Sequence, residues 1–372
     1  MGKVYDRSTS GFAAEAVRSA VADAGLQMGD VDGLLVSTGV TGGVGLGLQR
    51  ELGLRDLTLL AEMQAFGATA GAMLQTAALA VQAGSSEVVA CVFADAPLRA
   101  DRSSGAAYGG SGMGRAGWNG IAAASGVSGA NPMYAMAARR HMERYGTTSE
   151  QLAHVAVAQR AWAAMNPRAQ MREPITVADH QASRMVADPF RLLDCCLVSN
   201  GGIAVIVTSA ERAADLAQPA VHVLGWSQCH PGRYLMRDDD LGLVTGAARS
   251  GPRAMAMAGI TLDDVDVVEL YDCYTFTVLV TLEDYGFCDK GEGGAFVSSG
   301  ILGPSGKLML NTGGGQLSGY YMWGMTPLSE AVIQVRGQGG ARQADSHSIA
   351  LVSGNGGVLD HHSTIVLGSE AR

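Results

Sequence analysis

Apolar positions across residues 11–24 recur at helical spacing and stop at Gly25, where a glycine can close a helix in the left-handed conformation. The short apolar run Leu34–Val36 that follows predicts a strand. The same pattern is then written a second time. Ala20, Ala22, Ala24, Gly25, Leu26, Met28, Asp30, Val31 and Asp32 return 234 positions later as Ala254, Ala256, Ala258, Gly259, Ile260, Leu262, Asp264, Val265 and Asp266. A repeat at this distance points to a duplicated α/β unit, since solenoids repeat every ~20–50 residues.

The remaining periodicity predicts helices over about 67–82, 133–145, 149–165, 251–258, 273–285 and 326–336. Strands are predicted at Val88–Ala94, Ile203–Thr208, Val221–Gly225, Val265–Leu270, Ser348–Val352 and Ser363–Leu367. Val88–Ala94 is apolar without a break, as expected of a strand covered on both faces. The chain divides into halves at 1–215 and 216–372, the first interrupted by an insertion over about 97–190. Its opening stretch, 97–132, turns to Gly, Ser, Ala and Arg with little periodicity, as a linker or a loop over a site would. Strand and helix alternate in each half. The expected class is α/β, with two stacked sheets and helices between and outside them, a layered αβαβα arrangement.

Composition narrows the function. Of 372 residues, 47% are hydrophobic and 16% charged, which suits a large core and extensive subunit contacts. The net charge of −9 argues against nucleic acid as a partner, because no basic stripe is present to neutralise phosphates. No apolar run spans a bilayer and the start MGKVYDRSTS carries no signal-peptide core, so a cytoplasmic location is expected. The six cysteines, Cys91, Cys195, Cys196, Cys229, Cys273 and Cys288, lack the spacing of a disulfide framework or a zinc site, and no metal is expected.

Five segments carry a family resemblance. YDCY at 271–274, LNTGGGQLSGYYMWG at 310–324, SGNGG at 353–357, NPRAQMREPIT at 166–176 and DPFRLLDCCLVSNGGIAVIVTSAERA at 188–213 resemble the thiolase superfamily. The nearest branch is the lipid-transfer-protein type, related to sterol-carrier-protein thiolases. The resemblance covers essentially the whole chain. It implies two mixed five-stranded sheets enclosing central helices, a homodimer with Val88–Ala94 near its interface, and a site reached by the pantetheine arm of coenzyme A. Family members open with an apolar strand of the type VAIVG before the Gly-Lys that here follows Met1 directly.

The catalytic positions depart further. A thiolase cysteine nucleophile opens the central helix of the first half, where the helix N-terminus lowers its pKa. That position falls at about Phe66 or Gly67. The second family cysteine aligns with Val352, the Gly-His-Pro histidine with Tyr321, and the Asn or His of the third catalytic loop with Tyr271. Without a nucleophilic thiol, thiolytic Claisen chemistry is not expected.

Two phenols replace these groups, and a phenol is a proton donor at neutral pH. The pattern resembles the steroid side-chain aldolases of the same branch. There, tyrosines at the positions of Tyr271 and Tyr321 are implicated in cleaving a β-hydroxyacyl-CoA to a ketone and a shorter acyl-CoA. The resemblance implies no bound cofactor, coenzyme A being part of the thioester substrate, and a small zinc-ribbon/OB-fold partner protein. Gly354, Asn355 and Gly356, read as a turn ending at Gly357, are candidate oxyanion donors, and Asn311 is a candidate holder of a water or the thioester oxygen. Asp272 and Cys273 are read as positioning their loop, Tyr274 and Tyr320 as packing, and Trp323 and Met322 as a wall or interface. His230 is read as a surface histidine after a strand, and His361-His362 as a turn. Arg99, Arg102 and Arg115 are candidates for the coenzyme A phosphates, against the plainer reading of solvated loop charges. Two other functions stay open: a non-catalytic acyl-CoA or lipid-binding protein on this scaffold, and a partner-dependent acyltransferase.

Overall fold

The computed structural model describes residues 1–108, 120, 124–127, 129–232 and 241–371. The strands are β1 Gly33–Thr38, β2 Leu59–Glu62, β3 Val88–Asp95, β4 Met185–Ala187, β5 Phe190–Arg191, β6 Gly201–Thr208, β7 His222–Cys229, β8 Val267–Leu270, β9 Met309–Leu310, β10 Ile349–Gly356 and β11 His361–Gly368. One sheet has the order β2-β1-β3-β6 and a second the order β7-β11-β10-β8-β9, while β4 and β5 pair separately. In the first, β1 is parallel to β2 and β3, and β6 is antiparallel to β3. In the second, β8 is parallel to β9 and β10, and β11 is antiparallel to β10. Order and direction therefore repeat. The second sheet adds β7, antiparallel on β11, so the expectation of five strands per sheet is corrected to four in the first among the described residues.

The duplicated residues make the same bonds in both halves. Helix Thr9–Asp23 runs out to Gly25 at φ 77°, and helix Ala247–Ala258 to Gly259 at φ 66°. Each leads into one tight helical turn, Met28–Asp30 or Leu262–Asp264. Asp30 accepts the Gln27 N–H at 2.7 Å and Asp264 the Thr261 N–H at 2.8 Å. The next aspartate ties one strand to another. Asp32 accepts the N–H groups of Glu87 and Val88 where β3 begins, and Asp266 accepts that of Ile349 where β10 begins. Asp-Val-Asp recurs because a short carboxylate satisfies the same backbone donors in each half.

Helix Thr69–Gln82 packs on both sheets, and helix Met325–Val335 joins it in the central layer. Helix Thr9–Asp23 covers the outer face of the first sheet, and Ala247–Ala258, backed by Thr275–Tyr285, covers that of the second. β3 is buried at every position because helices lie on both its faces and β1 and β6 flank it. Its apolarity thus has a cause within one chain. The insertion contributes two long helices, Ala130–Tyr145 and Ser149–Met165. Among the described residues, no helix is long and apolar enough to cross a membrane.

Candidate active site

β8 delivers Tyr271. Leu270, its last residue, donates its N–H to Asn311 Oδ1 at 2.7 Å, and Tyr271 donates its N–H to the Ser353 carbonyl at 3.0 Å. Tyr321 comes from the glycine-rich stretch, its N–H donating to Ser199 Oγ at 2.9 Å. The two phenol oxygens meet at 3.0 Å. Tyr271 is buried, whereas Tyr321 is partly open.

Backbone bonds from outside both loops hold this meeting in place. Cys196 donates its N–H to the Cys273 carbonyl at 3.0 Å, and Leu197 to that of Gln316 at 2.9 Å. Gln170 and Met171 donate to the carbonyls of Gly319 and Ser318 at 2.9 and 3.0 Å. The Gln170 side-chain amide also reaches Ser199 Oγ, at 2.5 Å. Segments 166–176 and 195–200 therefore lace the tyrosine loops together. Gly315–Gly319 forms a π-helical turn, and the Asp272 carboxyl accepts the N–H groups of Gln316 and Leu317 at its start, at 2.9 and 3.1 Å. This supports the reading of Asp272 as a loop anchor.

Burial pushes both phenols well above the ordinary tyrosine value. For Tyr271 the neighbouring Cys273 and Tyr134 add to the rise, and the bond with Tyr321 opposes it. For Tyr321 the Tyr271 phenol adds most after burial. Burial pushes the Asp272 carboxyl up to about 8, against the lowering effect of its backbone donors, and the Cys273 thiol up to about 12. Cys196 is likewise raised, chiefly by burial. At neutral pH the tyrosines are thus phenols and the adjoining sulfurs are thiols.

Gly67, one of the two positions expected for the family nucleophile, is filled from the opposite side. The central helix begins at Thr69, after a tight turn over Phe66–Ala68, and not at 67. A Cβ built on Gly67 would overlap the Tyr271 ring and the Asn355 carbonyl oxygen. Phe66 is 41% exposed and tilts against Trp323, with ring centroids 5.9 Å apart. Phe66, Asn311 and Trp323 adopt φ values of 52°, 49° and 47°. Left-handed backbone is uncommon for residues other than glycine and gathers at functional sites. Residue type gives no signal of this backbone for Phe66 or Trp323, whereas asparagine, as at 311, is enriched in it.

Other expectations fare differently. Gly354, Asn355 and Gly356 are not in a turn but close β10, opposite Ser363, His362 and His361. The hairpin turn lies at 357–360. Because strand amides alternate and Ser353 faces Tyr271, the Gly354 and Gly356 N–H groups point to β11, leaving the Asn355 N–H directed toward the tyrosine side. The Asn355 side-chain amide is buried without a hydrogen-bond partner. His361-His362 is likewise strand, correcting the reading as a turn. Burial pulls the His362 imidazole down to about 3, and Nε2 meets Ser353 Oγ at 2.9 Å. His230 is exposed and 3.0 Å from His361, as a surface histidine. Tyr274 stacks on Phe190 at 4.7 Å and donates to Asn131, a packing role, and Tyr320, Met322 and Trp323 are buried. Arg99 and Arg102 are exposed on the turn after β3, and Arg115 lies outside the described residues. A cavity of about 1610 Å³ runs along β6, and neither Tyr271 nor Tyr321 lines it. No cluster of metal-ligating side chains occurs among the described residues.

Residues 227–369 match the family model described as thiolase C-terminal domain-like. The chain is 37% identical over 362 residues to a steroid side-chain-cleaving aldolase of Thermomonospora curvata, covering 94% of this chain and 91% of that one. It is also 37% identical to the 17-hydroxy-3-oxo-4-pregnene-20-carboxyl-CoA lyase of Mycobacterium tuberculosis, covering 94% and 92%. Among solved structures, an Ltp2-ChsH2(DUF35) aldolase superposes with a TM-score of 0.87 at 35% identity, covering 99% of this chain and 94% of that chain. The chain belongs to the thiolase superfamily, in the lipid-transfer-protein branch that holds carbon–carbon-cleaving aldolases.

Proposed function

We propose that this chain cleaves a bulky β-hydroxyacyl-CoA by a retro-aldol reaction to a ketone and a shorter acyl-CoA, with Tyr271 and Tyr321 relaying the proton. The observation that carries the reading is the 3.0 Å contact between two phenols held protonated by burial, beside thiols that are not ionised. Neither phenol is a ready base, so the proton moves along the pair. The β-hydroxyl gives its proton to one phenol oxygen as that phenol passes its own proton to the other and the Cα–Cβ bond breaks. The electron pair of that bond goes to the thioester enolate, and the second phenol protonates Cα. The two tyrosines exchange the proton between them and end as phenols, so charge balances without a covalent intermediate. The Asn355 N–H and the Asn311 amide are the donors proposed for the enolate oxygen.

Similarity to the two lyases supports a steroid side-chain thioester as the substrate class, and similarity to the DUF35-containing aldolase supports a partner of the DUF35 type, for which the family resemblance implies a zinc-ribbon/OB architecture. A homodimer, with Arg99, Arg102 and Arg115 toward the coenzyme A phosphates, completes the proposal. The test is incubation with β-hydroxyacyl-CoA esters of small and steroid type, with and without such a partner. Release of ketone and shorter acyl-CoA in equal amounts is expected. Binding without turnover in both conditions would leave the non-catalytic reading standing.

A further inference from the structure

The two phenols are placed by unlike means. Tyr271 directly follows a strand, and its N–H bonds to the backbone of β10 at Ser353. Tyr321 lies in irregular chain between the π-helical turn and helix Met325–Val335. Its N–H is met by a side chain, Ser199 Oγ, from a segment 122 positions away. On the Tyr321 side, the 3.0 Å phenol contact therefore depends on where one buried hydroxyl stands.

That hydroxyl is itself held. Gln170 Nε2 donates to Ser199 Oγ at 2.5 Å, so the oxygen accepts from both Gln170 and Tyr321. A hydroxyl oxygen has two acceptor lone pairs, and with donors on both the Ser199 side chain stays turned toward Tyr321. Gln170 is fixed in its turn to the stretch just before Tyr321, its own N–H donating to the Gly319 carbonyl at 2.9 Å. Asn200 ties the other side of Ser199 to the chain after β3. Its side chain accepts the Leu98 N–H at 2.7 Å and donates to the Leu98 and Val4 carbonyls at 3.1 and 2.8 Å.

We propose that Ser199 and Gln170 are positioning residues for the cleavage, Ser199 setting the Tyr321 backbone where its phenol meets Tyr271 and Gln170 holding Ser199 in that setting. The inference rests on the relay through the two tyrosines. Proton transfer across an O–H···O contact tolerates little error, and a misplacement of ~1 Å can cost ~10²-fold in rate. Neither residue is asked to touch the substrate, so the loss falls on kcat and not on KM.

The experiment measures kcat and KM of the full chain on a steroid-type β-hydroxyacyl-CoA ester. Ser199→Ala should lower kcat by roughly 10- to 10²-fold and leave KM within a few-fold. Gln170→Leu should lower kcat by roughly ten-fold, and should cost nothing more once residue 199 is alanine. Ser199→Thr returns the hydroxyl and should recover most of the rate. Ser250→Ala removes another buried hydroxyl, one bonded to Thr364 at 2.7 Å, and should leave kcat unchanged. In the Tyr321→Phe background, Ser199→Ala should add no further loss, because the group it positions is gone. Wild-type kcat in Ser199→Ala, or a loss that persists in full beside Tyr321→Phe, would overturn the proposal and leave the relay standing. Gln170→Leu, at a half-buried position, carries the same cycle if Ser199→Ala does not fold. Full cleavage by Tyr321→Phe would remove the relay, and the proposal with it.

Discussion

Gly67 is overlain by the ring of Tyr271, so that a side chain at 67 and a phenol at 271 cannot share the space between the central helix and β10. The Asn355 carbonyl oxygen closes the same space from β10. Gly67→Ala and Gly67→Cys should each displace the ring, break its contact with Tyr321 and lower cleavage by roughly 10²-fold. Overpacking at this position should also cost about 1–3 kcal/mol of stability. Denaturant unfolding and a cleavage assay measure both effects. A Gly67→Cys protein that accumulates an acyl-enzyme by mass spectrometry would show that the space is not filled.

The Asp272 carboxyl gives a signed pH dependence. Its native pKa stands at about 8, far above the ordinary aspartate value, so between roughly pH 4 and 8 the native state holds a proton that the unfolded chain has lost. Its contribution to stability therefore falls as pH rises through that window. Asp272→Asn removes the titration and keeps an acceptor for the Gln316 and Leu317 N–H groups. Unfolding of the wild type and the variant at pH 5 and pH 8.5 should show the variant gaining on the wild type at the higher pH. A constant difference would contradict the assignment.

Thiol chemistry should be dispensable. Cys273 is buried beside Tyr271 with its pKa pushed up to about 12, so almost none of it is thiolate at pH 7.5. Cys273→Ala should change cleavage only a few-fold, and iodoacetamide at neutral pH should leave turnover intact. Loss of activity on either treatment, with the fold retained, would restore a cysteine to the mechanism.

How much was legible follows from what each residue responds to. The duplication could be read because Asp30 and Asp32 serve local backbone donors with the same chemistry as Asp264 and Asp266. The tyrosine positions could be read because their loops carry long motifs around them. SGNGG was misread because glycine density signals a turn, whereas here the glycines allow β10 to pass close to residues 65–68. His362 was misread because burial in a strand pair leaves no mark on the residue itself. The lacing by Gln170, Cys196, Leu197 and Ser199 joins segments distant in sequence, mostly through backbone atoms, which carry no residue-type signal.

The central claim is a proton relay through two neutral phenols. Tyr271→Phe and Tyr321→Phe each keep the ring and remove the transferable proton, at a stability cost near 1 kcal/mol for the lost hydrogen bond. The decisive measurement is kcat for β-hydroxyacyl-CoA cleavage in both single variants and the double variant. Each single change should reduce kcat by roughly 10²-fold or more, and the double variant should fall little further, because a relay broken once is already broken. Either single variant within a few-fold of the wild type, or two losses that simply multiply, would contradict it.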